Sequence, residues 1–171
     1  MRRGRIPDPT SPPWPQYAEA VVELIVDGEH LVLTPCGPAA AEPRALAPYG
    51  PPLWVLTAGD PYPVELDAEE NAARNALLRG GIERLGLRHH PALGRSQDGS
   101  TSEVSVALRG TTREVVLDLA ARHGQLAVYE LDDHIRCVDV ASAEVVTTVP
   151  FRIAAAPDGS DTLVGPTGWR G

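Results

Sequence analysis

Proline placement limits this chain before any other feature is read. Pro7, Pro9, Pro12, Pro13 and Pro15 crowd the start, and six more prolines stand between positions 35 and 52. Proline lacks a backbone N–H and fixes φ, so neither stretch can hold a central strand or a helix interior. Residues 1–16 therefore read as an extended or disordered leader, and 35–52 as a long loop. The end of the chain, 151–171, is rich in Pro, Gly and Asp and reads as a loose tail. One α+β domain is expected over 17–150, because domains usually run to roughly 100–150 residues.

Between these breaks, strand and helix patterns alternate. Residues 20–26 (AVVELIV) and 30–34 (HLVLT) flank Asp27-Gly28, a pair that supplies the positive φ values of a tight hairpin turn. Residues 53–58 (LWVLTA) form a short run of β-formers closed by GDPYP, which predicts a buried strand. A helix follows, capped by Asp67 with Glu70 reaching back to it and stopped by Gly86; Gly80-Gly81 inside it points to a kink or a close crossing. Residues 87–94 and 102–108 predict a second hairpin around RSQDG. Thr111 and Glu114 form a capping box ahead of VVLDLAARH, which ends at Gly124, and QLAVYEL and IRCVDV predict two more strands.

From 53 to 131 the order is strand, helix, strand, strand, helix, strand. That order predicts a split βαβ, ferredoxin-like two-layer sandwich, with an added N-terminal hairpin and C-terminal strand extending the sheet or covering its open face.

The first helix carries an anomaly. At 100° per residue, Asn71, Arg74 and Asn75 fall on the same side as Leu78, Ile82 and Leu85, where apolar side chains belong. A buried amide or guanidinium must find partners, because leaving it unpaired costs several kcal/mol, of order 1–3 or more. One reading is structural: Asn71 and Asn75 tie down the GDPYP loop, and Arg74 pairs with Glu70 or Glu103. The other is a ligand pocket at the helix N-terminus, where the dipole and Arg74 suit a carboxylate or phosphate, with Thr57 and Asp60 on its rim.

Composition excludes several classes. The net charge of −8 argues against nucleic-acid partners, which need a positive surface. No signal-peptide core and no run of about 18 apolar residues occurs, so no membrane association and a cytoplasmic location are expected. Cys36 and Cys137 lie far apart without ligand spacing, which fits two reduced thiols. His89 and His90 are adjacent and would point to opposite faces of a strand, so neither metal nor cofactor is expected.

The blocks LWVLTA, ENAARNALL, PALGRSQDG with Glu103, and LAARHGQLAVYEL together resemble the bacterial domain-of-unknown-function family 3293 over roughly half the chain. Asn71, Arg74, Asn75, Gly94, Glu103, Gly124 and Gln125 match the family pattern. Asp60 stands where the family tends to have asparagine, and His123 where it has phenylalanine. The resemblance implies a bacterial source, adds Gln125 to the candidate ligand-binding set, and brings no reaction with it.

The expectation is a small binding or regulatory domain with a polar pocket at the N-terminal half of the first helix, taking a small anionic ligand through Thr57, Asp60, Asn71, Arg74, Asn75 and Gln125. The alternative is an enzyme acting on a small anionic or nucleotide-like substrate with Glu103 as general acid/base. Alternation in SEVSVAL opposes that alternative's geometry: it turns Glu103 away from Val104, Val106 and Leu108 unless a bulge near 99–101 re-aims it. A third reading is an interaction module using an open edge of the N-terminal hairpin.

Overall fold

The computed structural model describes residues 12–155. Most of the expected leader and tail therefore lies outside the described residues. Where they are described, both contain regular structure. Trp14–Glu19 forms a short helix, α1, with Pro15 in its first turn, where a missing N–H breaks no helical bond. Phe151–Ala155 forms a strand.

The hairpin β1 (Val21–Val26) and β2 (Glu29–Pro35) turns at Asp27 (φ 52°) and Gly28 (φ 84°), as the Asp-Gly pair predicts. The proline-rich loop follows, and its Leu46 is fully buried against the sheet. Next come β3 (Leu53–Leu56), α2 (Ala68–Arg84), β4 (His89–Arg95), β5 (Ser102–Leu108), α3 (Arg113–Arg122), β6 (Ala127–Leu131), β7 (Ile135–Asp139), β8 (Val145–Val149) and β9 (Phe151–Ala155). The reciprocal Asp67–Glu70 capping box is present, and α2 runs through Gly80-Gly81. The second cap shifts by one residue: Thr112, not Thr111, accepts from the N–H of Val115.

All nine strands join one antiparallel sheet in the order β8-β7-β6-β3-β5-β4-β1-β2-β9. The edge strands β8 and β9 are separated in sequence by Pro150 alone. Two opposite edges of a nine-stranded sheet can meet at one residue only if the sheet curls round on itself, and the usual strand twist favours that curl. The backbone N–H of Cys36, just past β2, donates to the carbonyl of Pro150 and pins the corner.

The expected ferredoxin-like two-layer sandwich is therefore wrong. The chain is a nearly closed, barrel-like antiparallel sheet with few helices. The N-terminal hairpin and β7 to β9 extend the sheet at both ends, so the face that a sandwich would leave open wraps its own core. Pro150 makes residues 145–155 read as a final stretch and a loose tail, yet EVVTTV is rich in β-branched residues and Phe151 is fully buried.

Strand alternation sorts the apolar residues into two cores. Val22, Leu24, Leu33, Leu53, Val55, Ala107, Leu131, Ile135 and Phe151 fill the inside. Trp54, Leu56, Val106, Leu108, Val128 and Val138 point outward and are covered by Leu78 and Ile82 of α2 and by Val116, Leu119 and Ala120 of α3. Leu85, expected on the packed side of α2, is 56% exposed. Each fully buried leucine or valine contributes about 1.5–3 kcal/mol, so both cores are substantial.

Candidate functional site

The polar stripe on α2 is a loop clamp. Asn75, almost fully buried, accepts through Oδ1 from the N–H of Ala58 at 2.9 Å. Asn71 Oδ1 accepts from the N–H of Asp60 at 2.8 Å, and its Nδ2 donates to Asp60 Oδ1 at 2.8 Å. Arg74 donates through Nε to the carbonyl of Ala58 at 2.6 Å and through a terminal nitrogen to the carbonyl of His123. Its expected partners, Glu70 and Glu103, are not the groups it meets. The three side chains thus fasten the end of β3 and the end of α3 to one helix, and none of them is among the residues that line the cavity at the barrel mouth.

Thr57, Asp60 and Gln125 stand on the other side of that clamp. Thr57 Oγ1 donates to the carbonyl of Val104 at 2.8 Å and accepts from the N–H of Gly59 at 3.0 Å. Gln125 donates to the carbonyl of Gly59 at 2.7 Å. Asp60 has positive φ (36°), and its Oδ1 also accepts from the N–H of Leu66 at 2.8 Å, which closes the loop; Oδ2 has no hydrogen bond among the described residues. All three line a cavity of about 660 Å³ at one mouth of the barrel.

The residue pattern explains the cavity. β4 and β5 pair without a register shift from His89↔Leu108 to Arg95↔Ser102, so no bulge re-aims Glu103. Alternation then puts Glu103 and Ser105 on the same inward side as Ala107, opposite Gly94 and Ala92. Near the mouth the inner face carries Gly94, Ser105 and Ala127, where deeper positions carry leucines and valines. Small side chains at this level leave the barrel unfilled.

Glu103 dominates the chemistry of that space. Among the described residues no hydrogen bond or ion pair meets its carboxylate. Burial, reinforced by the negative charge of Asp60, pushes its carboxyl up from 4.5 to about 8. Among the described residues the rim is otherwise acidic: Glu19, Asp60, Glu65 and Asp98 line it, against Arg95 as the single basic one. Arg95 is already bound to the buried carboxylate of Glu23.

Two tyrosines, absent from the residues expected at the site, close one side. Tyr129 of β6 points inward and donates from its hydroxyl to the carbonyl of Tyr17 in α1 at 3.1 Å, and the two rings lie 6.0 Å apart. Burial raises both phenols, and the Glu103 charge adds to the effect. Tyr129 has a legible sequence signal, since it shares the inward register of Leu131; Tyr17 has none, because it falls between the proline-rich residues 1–16 and the first strand pattern, where no periodicity places it.

Residues 56–128 match the model of a family described as Protein of unknown function (DUF3293). This stretch is a DUF3293 segment. It holds Thr57, Asp60, Asn71, Arg74, Asn75, Glu103 and Gln125, together with α2, α3 and the β4–β5 hairpin. The DUF3293 segment alone does not enclose the cavity: Tyr17, Glu19 and Tyr129 lie outside it. No curated protein and no solved structure matches the chain.

The remaining candidates separate from the cavity. His89 faces α2 and meets Glu83 at 3.3 Å, while His90 lies on the opposite side of the strand. His90 is held below its ordinary value, first by burial and then by Arg109. His123, at the end of α3, is lowered by burial and by the charge of Arg74. Asp132, Asp133 and His134 bring potential metal-ligand atoms within 4.8 Å of one another, but both aspartates bind Arg136. Cys36 and Cys137 are both free, and burial pushes the Cys137 thiol up to about 12. Among the described residues no helix is long and apolar enough to cross a membrane.

Proposed function

We propose that this chain is a cytoplasmic small-molecule binding domain whose ligand enters the mouth of the barrel, on the far side of the α2 clamp from the helix N-terminus. The observation that carries the reading is the inward carboxyl of Glu103, which meets no partner among the described residues and stands in a cavity of about 660 Å³. That volume lies within the roughly 300–1,000 Å³ of pockets that take metabolite-sized ligands. The convergent polar groups of Thr57, Asp60, Ser105 and Gln125 supply orientation, and the two tyrosines supply apolar surface.

Gly94 provides the test. It lines the mouth, and a Cβ built on it meets nothing within 4 Å, so a larger side chain there enters the cavity without displacing the sheet. A thermal-shift screen of metabolites on the native chain should give hits that Gly94→Leu abolishes while remaining folded. Hits that survive in Gly94→Leu would place binding elsewhere, and the reading would fall.

The same carboxyl favours a second reading, an enzyme using Glu103 as general acid or base. A carboxyl displaced to about 8 keeps its proton at neutral pH and can exchange it there. Turnover present in the native chain and absent from Glu103→Gln would support it; equal turnover in both would remove it.

A further inference from the structure

We propose that the ligand of this cavity is a small organic cation, a protonated amine or guanidine, held between the carboxylates of Glu103 and Asp60 with its carbon chain against Tyr17 and Tyr129. This inference rests on the binding reading above and adds the chemical class. It replaces the small anionic ligand expected from the head of α2, whose arginine is spent on two backbone carbonyls.

Charge decides the class. Among the described residues the acidic groups at the mouth outnumber Arg95, and Arg95 is already neutralised by Glu23. An anion entering here would meet the carboxylates of Asp60, Glu19, Glu65 and Asp98, and like charges a few ångströms apart repel by about 4 kcal/mol even at an effective dielectric of 20. A cation reverses that sign. It also removes the repulsion between Glu103 and Asp60, which is part of what raises the Glu103 carboxyl. Tyr17 and Tyr129 both line the cavity, their ring centroids 6.0 Å apart and the rings tilted, and aromatic rings carry the negative π density that attracts ammonium and guanidinium groups.

Binding and proton loss are coupled. Glu103 holds a proton at neutral pH, and a cation pairs best with the carboxylate, so the complex forms as the proton leaves. The charged and titratable groups around Glu103 are Asp60 and Glu65 from the loop after β3, Tyr17 and Glu19 of α1, Arg95 of β4, Asp98 of the following turn, and Tyr129 of β6. Glu103 is the carboxyl at this mouth whose displacement carries it across neutral pH, so the coupling belongs to it.

Putrescine, 1,4-butanediol and succinate share a four-carbon chain and differ in charge, and they serve as probes on the full chain. Amide chemical shifts should move with putrescine at Gly94, Ser105 and Tyr129, and stay unchanged with the diol and the diacid. Affinity for putrescine should rise by about tenfold per pH unit below 8 and flatten above it. Glu103→Gln should stay folded and lose both the binding and its pH dependence. Succinate or butanediol moving the same amides, or putrescine binding unchanged in Glu103→Gln, overturns the cationic class while leaving the cavity as a binding site. Metabolite hits that Gly94→Leu abolishes but that are all neutral or anionic overturn it in the same way. An unperturbed mouth with all three probes, together with screening hits that Gly94→Leu does not affect, overturns both the class and the reading it rests on.

Discussion

Asp60 shows how one atom changes the character of a site without changing its frame. Its Oδ1 carries both loop bonds, from the N–H of Leu66 and the amide of Asn71, and an asparagine would present the same oxygen to both. The other carboxylate oxygen contributes charge, and that charge raises the carboxyl of Glu103. Asp60→Asn should therefore leave stability within about 1 kcal/mol and move the Glu103 titration downward, as read by carboxyl-carbon NMR. Asn75 answers to a different physics. Replacing it by alanine strands the buried N–H of Ala58, which should cost about 1–3 kcal/mol in denaturant unfolding with little effect on the cavity. Helical periodicity correctly marks Asn71, Arg74 and Asn75 as side chains that need partners. It cannot say whether those partners are ligand or backbone, since it fixes a direction and not what lies along it.

At the scale of elements, the contact between the β3–α2 loop and the end of α3 depends on Gly124. Its φ is 70°, and a Cβ there would come within 3.1 Å of Pro61. Gly124→Ala should destabilise the fold by about 1–2 kcal/mol from the left-handed backbone alone, and by more if Pro61 cannot shift; thermal unfolding measures it. The α1 helix lines the cavity through Gln16, Tyr17 and Glu19. Tyr17→Ala should admit water beside Glu103 and bring its carboxyl down toward the ordinary range, because burial is the largest cause of its displacement. Hairpins and helix caps are legible in the sequence because each rests on local chemistry: Asp27-Gly28 for the turn and Asp67 with Glu70 for the cap. The helix α1 and the strands β8 and β9 are not, since local preference alone treats the N-terminal prolines and Pro150 as breaks. In the folded chain these prolines sit where the backbone tolerates them, Pro15 in the first turn of a helix and Pro150 at the corner between two edge strands.

For the whole molecule, closure of the sheet is what turns an acidic residue on a strand into an interior group. The strand and helix order between 53 and 131 is compatible with an open sheet, and only pairings between residues distant in sequence, β2 with β9 above all, reveal the barrel. Long-range pairing leaves no local mark, so the fold class is misread from sequence; the alternation of SEVSVAL correctly separates Glu103 from Val104, Val106 and Leu108, but only closure of the sheet makes the Glu103 side the inside. Closure has a consequence for stability. The folded state holds an extra proton on Glu103 between pH 4.5 and about 8, so this group's contribution is full below 4.5 and is lost as pH rises through that window. Glu103→Gln should flatten that part of the pH–stability curve and stabilise the chain at pH 8.5 by on the order of a few kcal/mol, each tenfold change in proton affinity being worth about 1.4 kcal/mol. The most direct test of the account is the titration of the Glu103 side-chain carboxyl by carbon NMR in the native chain. A midpoint near 8 is the predicted result; a midpoint near 4.5 would show a carboxylate open to water and would contradict the enclosed barrel mouth on which the site depends.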